Sequence, residues 1–127
     1  MSRQALKNTS DLTSWSQNFV DGPLRERLIE CCNYQGKGRN ATVLIHVVTG
    51  GVHQHSDGYA KSCFMFPVVM NKHWFFEYEG DSYRVRKNLE VGKLYRFNDH
   101  NRHGLDNTLG SYRAAIFTVH FEDKQSL

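Results

Sequence analysis

The sequence has few cysteines and prolines and no long hydrophobic run, so it lacks the features of disulfide-rich and membrane-spanning proteins. Its 127 residues include only three cysteines and two prolines, and the adjacent pair Cys31 and Cys32 cannot bridge without strain, so no disulfide framework is expected. No apolar run approaches the length of a membrane span, and the N-terminus lacks the charged-then-apolar pattern of a secretory signal. Repeats and low-complexity segments are also missing. We therefore expect one globular domain, residues 1–127, in a reducing cytoplasm and without a membrane contact.

The sequence also has no large excess of charge of one sign. The formal net charge is +3, and the basic residues are spread along the chain rather than clustered. A nucleic-acid partner is therefore not expected. What remains is a composition of 39% hydrophobic and 13% aromatic residues, which is typical of a protein with a packed core.

The first 40 residues predict one or two helices. Ser10 and Asp11 are capping types ahead of an apolar spacing that reaches Phe19, which indicates a short helix or turn. A longer helix is predicted after Asp21, since Pro23 suits a first turn. Its apolar stripe recurs at i, i+4 and i+8, and Gly36 to Gly38 are expected to end it. The residues of that stripe are Leu24, Leu28 and Cys32.

From residue 41 onward the pattern is that of strands. Short runs rich in β-branched and aromatic residues alternate with turn signals, and Pro67 requires an edge position or a bulge. Such a series predicts a mainly-β fold, a sandwich or double-stranded β-helix (jelly roll), with the N-terminal helices packed on its outside. The predicted core covers residues 41–121 and the helical segment residues 1–40. The predicted runs are 41–48, 62–70, 74–78, 82–86, 94–97 and 112–121.

One histidine–aspartate pair suggests a metal site. In extended backbone, His55 and Asp57 point to the same side, and His103 lies far downstream as a third ligand. Two histidines and one carboxylate on one face of a metal are typical of non-haem Fe(II) oxygenases. The spacing alone is weak, because roughly 0.7 of a histidine-x-acid pair is expected by chance in this composition. A second pair, His120 and Glu122, is interpreted as accidental.

The surrounding motifs resemble one enzyme family. A histidine-x-aspartate at 55–57, a glycine-turn-strand unit at 89–97, a histidine-glycine-x-x-asparagine stretch at 103–107 and Arg113 at the start of the last strand occur in order. This series resembles the core of Fe(II)/2-oxoglutarate-dependent dioxygenases, in the aspartyl/asparaginyl β-hydroxylase and proline-hydroxylase-like branch. The resemblance covers about residues 40–121. It implies His55, Asp57 and His103 as catalytic iron ligands, with Fe(II), 2-oxoglutarate and O2 as cofactor and co-substrates.

The resemblance also gives Arg113 a role. Its guanidinium would pair with the distal carboxylate of 2-oxoglutarate, if residues 113, 115, 117 and 119 face inward. The alternative is that Arg113 faces solvent and that residues 114, 116 and 118 face inward. Tyr95 and Tyr59 are the two tyrosines expected near the co-substrate. Cys63, without an evident base, is expected to be a packing residue.

The expected function follows from these assignments. It is hydroxylation of an amino-acid side chain in a peptide, protein or amino-acid substrate, by a monomer or homodimer. Two alternatives stay open, a cupin-type metal enzyme that uses His53, His55 and His103, and a non-catalytic β-helix binding module. His53 and His100 are otherwise expected near the metal ligands or at the surface, and His46, His73 and His120 are expected to be ordinary strand histidines.

Overall fold

Two antiparallel β-sheets make up most of the molecule. The structure, a computed structural model, describes residues 14–35, 40–56, 62–79, 83–107 and 112–122. Within them lie nine strands and one helix. In chain order these are β1 (Ser14–Phe19), α1 (Gly22–Cys32), β2 (Ala41–Thr49), β3 (Val52–His55), β4 (Ser62–Val69), β5 (His73–Glu79), β6 (Tyr83–Asn88), β7 (Tyr95–Phe97), β8 (His103–Asn107) and β9 (Arg113–Phe121).

The sheets pair strands that are distant in sequence. One sheet has five strands in the order β1-β2-β9-β4-β7, and the other has four in the order β3-β8-β5-β6. Apart from the direct pairs β1–β2 and β5–β6, each strand pairs with one that is distant in the chain, and consecutive strands such as β2 and β3 belong to different sheets. This is the topology of a double-stranded β-helix, so the predicted mainly-β jelly roll is confirmed.

The first strand corrects the sequence-based expectation. The apolar spacing up to Phe19 predicted a short helix or turn, but Ser14 to Phe19 pair with β2 along their whole length, from Ser14–Thr49 to Phe19–Leu44. Without this pairing β2 would leave its backbone groups exposed at a sheet edge, and strand pairing satisfies them. Propensity over a six-residue segment is too weak to compete with that gain.

Helix α1 matches its prediction at the start. Asp21 occupies the N-cap with extended backbone, although its side chain makes no capping hydrogen bond, and a proline sits in the first turn. The helix ends earlier than expected, at Asn33 in the left-handed conformation with φ of 49°, and Gly36 to Gly38 lie outside the described residues. No helix in the described part of the chain is long and apolar enough to cross a membrane.

Two apolar clusters lie on the two faces of the five-stranded sheet. The outer cluster packs α1 against the sheet through Leu28, Cys32, Val43 and Val119. Burial there raises the pKa of the Cys32 thiol to about 12, with a smaller contribution from Cys31. None of the three cysteines, all of which are described, forms a disulfide. The inner cluster fills the space between the two sheets, with Val48, Met65, Phe75, Phe97, Leu105 and Ile116 among its members.

Pro67 lies in β4, next to the edge strand β7 of the five-stranded sheet. On one side, β4 pairs with β7 only through Cys63 to Met65, so Pro67 lies beyond the end of that ladder. On the other side the pairing with β9 shifts register between Pro67 and Val69. The missing N–H of proline is thus placed at a bulge, as its position required.

Candidate functional site

A cavity of about 60 Å³ lies between the two sheets. Its walls are mostly apolar and aromatic, and include Phe75, Phe97 and Ile116. An apolar cavity with a few polar groups is the usual form of a small-molecule site. The polar groups that line it are four imidazoles, one hydroxyl and one indole N–H, from His46, His55, His103, His120, Thr118 and Trp15.

His55 and His103 form the mouth of a candidate metal centre. They are directly opposite each other in the β3–β8 pairing, and their ring centroids are 4.5 Å apart. His55 Nδ1 donates to the carbonyl of His53 at 2.8 Å, and His103 Nδ1 donates to that of Asn101 at 2.7 Å. A carbonyl only accepts, so both rings carry the proton on Nδ1 and the lone pair on Nε2. Histidines that bind metals are oriented by the same kind of outer contact.

A buried carboxylate lies in the same row. Glu77 of β5 is directly opposite His103 in the β5–β8 pairing, so both side chains are on the same face of the sheet. Glu77 is 7% exposed and accepts a hydrogen bond from Asn101 Nδ2 at 2.8 Å. His55, His103 and Glu77 are donor types that suit a divalent metal such as Fe(II), but their ligand atoms do not all lie within 4.8 Å of one another.

Asp57, the predicted carboxylate ligand, lies outside the described residues. Its assignment stays a prediction that rests on its position two residues after His55. The structure thus brings together the two predicted histidines and adds Glu77 as a second candidate carboxylate. Sequence reasoning missed Glu77 because its proximity to His103 arises from strand pairing and not from any local motif.

His53 does not join the cavity. Val52 and His55 both line the cavity although they are three residues apart, which simple alternation in a strand does not allow. The β3–β8 pairing shifts register between these two residues, and this bulge turns His53 outward, where it is exposed. The cupin-like ligand set built on His53 therefore lacks its first ligand at the cavity.

A hydrogen-bonded chain of polar groups crosses the inside of the barrel. Trp15 Nε1 donates to His46 Nδ1 at 3.1 Å, and His46 Nε2 lies 2.8 Å from Thr118 Oγ1. Thr118 Oγ1 lies 2.8 Å from His120 Nε2, and His120 Nδ1 lies 2.9 Å from Asp99 Oδ2. Asp99 is fully buried and His120 is 2% exposed. Because each contact has hydrogen-bond length, the whole chain is connected.

The expectation for these residues is therefore corrected. His46 and His120 were expected to be ordinary strand histidines, but both line the cavity and belong to one network. Thr118 and His120 share a face of β9 with Ile116, so the correct choice of inward face would have found them. No sequence pattern predicts that Asp99 contacts His120, since the two residues are 21 positions apart in the chain.

Cys63 also departs from its expected role as a plain packing residue. Its Sγ lies 3.3 Å from His120 Nδ1, so an imidazole adjoins the thiol. Cys63, Asp99 and His120 bring their ligand atoms within 4.8 Å of one another. All three are buried; His120 lines the cavity, whereas Cys63 and Asp99 are not among its lining residues.

Arg113 lies on the outer face of β9. Ala114 and Ile116 belong to the inner core, whereas Val119 packs with the outer cluster. Arg113 shares the parity of Val119 and is exposed. The expected inward orientation of residues 113, 115, 117 and 119 is therefore wrong, and the alternative with 114, 116 and 118 inward holds. The reason is the register of β2 with β9, which pairs Arg113 with Thr49 at the end of the sheet.

The other residues singled out from the sequence are two tyrosines and two histidines, and the three of them that the structure describes do not line the cavity. The Tyr95 hydroxyl accepts from the backbone N–H of Glu90 at 2.8 Å and donates to the carbonyl of Asn88 at 3.3 Å, so it ties down the connection between β6 and β7. Tyr59 lies outside the described residues. His100 is exposed. His73 is buried, and its Nε2 donates to the carbonyl of Gly50 at 2.9 Å.

Solved structures share this architecture at low sequence identity. A protein of the 2OG-Fe(II) oxygenase family from Burkholderia pseudomallei is 8% identical with a TM-score of 0.62, over 90% of this chain and 70% of that one. A Cupin 2 conserved barrel domain protein from Salinispora arenicola is 12% identical with a TM-score of 0.55, over 87% and 76%. Fe(II)-HppE with an alternative substrate is 15% identical with a TM-score of 0.57, over 84% of this chain.

These likenesses define the class of the fold. The chain has the double-stranded β-helix shared by cupins and 2OG-Fe(II) oxygenases. It spans 49% of the length of the HppE chain, about half. No protein-family model matches the sequence, and no curated protein matches it significantly.

Proposed function

We propose that this protein is an Fe(II)-dependent oxygenase whose metal is held at the mouth of the barrel by His55, His103 and a carboxylate. The observation that carries the proposal is the pairing of the two imidazoles, with centroids 4.5 Å apart and both Nδ1 atoms bonded to backbone carbonyls. Both rings are therefore in the tautomer that has its lone pair on Nε2, the nitrogen that would bind the metal. The likeness in fold to iron enzymes supports the choice of Fe(II).

The residues around the centre would each have a defined task. Bound Fe(II) would supply the activation of O2 and of a C–H bond, chemistry that no side chain can perform. His55 and His103 would fix the metal, and Asp57 or Glu77 would provide the carboxylate. The rings of Phe75 and Phe97, which approach His103 at 5.8 Å and 4.8 Å between centroids, would keep bulk water away from it.

The finer assignment rests on the resemblance in sequence. It proposes 2-oxoglutarate as co-substrate and an amino-acid side chain of a peptide or protein as substrate, in a cytoplasmic monomer or homodimer. Arg113 faces outward, so it does not support the carboxylate clamp that this assignment needs. Among the described residues that line the cavity, the polar side chains other than His55 and His103 are those of Trp15, His46, Thr118 and His120.

A second candidate is favoured by that same observation. A cupin-type metal enzyme in which a carboxylate replaces His53 as the third ligand would need neither a 2-oxo acid nor an arginine in the cavity. Among the described residues that line the cavity, the polar groups are imidazoles, a hydroxyl and the indole N–H of Trp15, and none is a guanidinium. Of the two candidates, only the 2-oxoglutarate-dependent oxygenase should respond to added 2-oxoglutarate.

Anaerobic Fe(II) titration tests both. Calorimetry should show one tight site in the wild type and a loss of it in His103→Ala, while His100→Ala, which removes an exposed imidazole, should bind as the wild type does. Addition of 2-oxoglutarate to the Fe(II) protein should produce a visible charge-transfer band if the 2-oxoglutarate assignment is correct. Iron binding without that band supports the second candidate. If the wild type binds no divalent metal, both enzyme candidates are excluded and the non-catalytic β-helix binding module remains.

A further inference from the structure

With neutral rings and an ionised Asp99, one set of proton positions satisfies the polar chain inside the barrel. Trp15 Nε1 is a donor only, so His46 Nδ1 accepts and His46 Nε2 carries the proton toward Thr118. Thr118 already accepts this proton, so its own hydroxyl proton points to His120 Nε2. His120 must then carry its proton on Nδ1, which it donates to the Asp99 carboxylate. Every donor in the series therefore meets an acceptor.

The second half of that series is a hydroxyl, an imidazole and a carboxylate in line. Thr118 Oγ1 is 2.8 Å from one ring nitrogen of His120, and Asp99 Oδ2 is 2.9 Å from the other. A nucleophile in contact with a base, and a base held by a third group, is the geometric test for an activated hydroxyl. Thr118 and His120 line the cavity, whereas the carboxylate lies behind the ring in full burial.

We infer that Thr118, His120 and Asp99 form a second catalytic site, independent of metal, that transfers short acyl groups from esters. The small apolar cavity suits an acetyl-sized acyl group, with the leaving group at the opening. Thr118 is the nucleophile and His120 the general base. Asp99 is the positioning residue, which keeps the His120 ring in the required tautomer and stabilises it when it gains a proton.

The reaction balances with these groups alone. Thr118 Oγ1 bonds to the ester carbonyl carbon while its proton passes to His120 Nε2. The bond from that carbon to the leaving oxygen then breaks, and His120 returns the proton to the leaving oxygen. Water cleaves the acyl-threonine by the same route, which releases the acid and restores the hydroxyl. No oxidant or metal enters any step.

His46 provides a donor for the charge that develops during the attack. Its Nε2 lies 2.8 Å from Thr118 Oγ1, and in the tetrahedral adduct the former carbonyl oxygen would be two bonds from Oγ1, through the attacked carbon. The contact from Trp15 to Nδ1 fixes this tautomer. A neutral N–H oriented before the reaction stabilises an oxyanion at little cost in reorganisation.

Cys63 does not take the place of Thr118. Its Sγ is 3.3 Å from His120 Nδ1 and 3.9 Å from Nε2, so it lies nearer the nitrogen that Asp99 already engages. Cys63 is also fully buried. The thiol therefore lacks both the base and the access that the threonine hydroxyl has.

The test uses the full-length protein and p-nitrophenyl acetate, with and without a chelator. Release of p-nitrophenolate is followed by absorbance, and acid-quenched samples are analysed by peptide mass spectrometry for the acetylated residue. The wild type should carry an acetyl group on Thr118 in both conditions. Asp99→Asn and Thr118→Val should each lower the acylation rate about 100-fold or more, and Thr118→Ser should retain it. His100→Gln is the matched control, since it removes an exposed imidazole.

Each outcome of the acetylation experiment either supports or overturns the proposed Thr118 site. Acetyl-Thr118 in the wild type, with rescue by Thr118→Ser, supports the site. Acetylation only on other residues, a rate in Thr118→Val equal to that of the wild type, or a rate that disappears with the chelator overturns it. The location of the acetyl group in the wild type needs no variant, so a variant that fails to fold leaves the test intact. Loss of metal binding would not alter this result, which keeps it separate from the proposed oxygenase.

Discussion

Each imidazole that lines the cavity has its tautomer set by a neighbouring group that can only donate or only accept a hydrogen bond. Backbone carbonyls hold the Nδ1 protons of His55 and His103, and the indole of Trp15 forces the opposite tautomer on His46. Since the lone pair is what a metal or a proton binds, these contacts assign chemistry to each ring. The two rings at the mouth suit a metal, and the rings of the polar chain suit proton transfer.

At this scale the metal ligands can be tested one by one. His55→Ala and His103→Ala should each weaken Fe(II) binding by more than about 100-fold, because each removes a ligand and not merely its support. His53→Ala should retain the wild-type affinity, since the bulge in β3 directs that side chain outward. Calorimetric titration under anaerobic conditions gives all three values. A loss confined to His53→Ala would instead restore the cupin-like ligand set.

The identity of the carboxylate needs its own comparison. Asp57→Asn and Glu77→Gln each remove one negative charge with little change in volume. If Asp57 is the ligand, Asp57→Asn should abolish tight binding while Glu77→Gln lowers it by about 10-fold or less through the contact with Asn101. The reverse order would assign Glu77 as the ligand. The same titration distinguishes the two cases.

His73 predicts how stability depends on pH. Burial lowers its pKa below the usual 6.5, against smaller opposing effects of its contacts with the backbone of Gly50 and Tyr112. The folded protein thus binds fewer protons at this site than the unfolded chain, so the free energy of unfolding decreases as pH falls below about 6.5. Urea unfolding at about pH 7.5 and about pH 5.5 should show this loss. The loss should be smaller in His73→Gln and unchanged in His100→Gln.

At the scale of elements, the close approach of β3 and β8 determines the metal site. A Cβ on Gly104 would lie 2.7 Å from Phe76 Cζ and 3.1 Å from the carbonyl of His53, and closer still to that of Val52. A Cβ on Gly51 would lie 2.6 Å from the carbonyl of Leu105. Only glycine lets the two backbones meet at this distance, and their spacing sets that of the two histidines.

Gly104→Ala should therefore affect stability and metal binding together. The added methyl forces the strands apart, which should lower the free energy of unfolding by about 1–3 kcal/mol and separate His55 from His103. Urea unfolding and Fe(II) titration measure the two effects. Gly92→Ala is the matched control, because Gly92 has φ of +89° and open space around it; it should be destabilised without a change in affinity. A Gly104→Ala protein with wild-type affinity would separate the metal site from this contact.

Elements with a strong local pattern could be predicted, and those that depend on partners could not. The runs that became β2, β4 and β9 are long, apolar and bounded by turn residues, and the structure confirms them. Strand β1 was missed because six residues with ambiguous spacing become a strand only by pairing with β2. His55 and His103 were predicted together because the resemblance to a family's motifs assigns both, whereas Glu77 and Asp99 reach their partners through pairings and loops distant in sequence.

At the scale of the whole molecule, the register of the five-stranded sheet decides which residues reach the cavity. In β9 side chains alternate between the cavity and the outer cluster, and a shift of one residue would exchange the two sets. Pairing on both sides, with β2 and β4, fixes that choice. The result turns Thr118 inward and Arg113 outward. The pattern of β9 alone fits both orientations, which is why the sequence left both open.

The orientation of β9 leads to a prediction about 2-oxoglutarate. An exposed guanidinium on the outer face cannot pair with an acid bound inside the barrel, so Arg113→Ala should leave the affinity of the Fe(II) protein for 2-oxoglutarate within about twofold, or about 0.4 kcal/mol. The charge-transfer band or calorimetry measures this affinity, with Arg86→Ala as the matched loss of another exposed arginine. A loss of about 100-fold, near 2.7 kcal/mol, would mean that Arg113 reaches the co-substrate and that β9 presents its other face to the cavity when the ligand is bound. A wild type that ignores 2-oxoglutarate while it binds Fe(II) would favour the cupin-type enzyme, whose chemistry needs no such clamp.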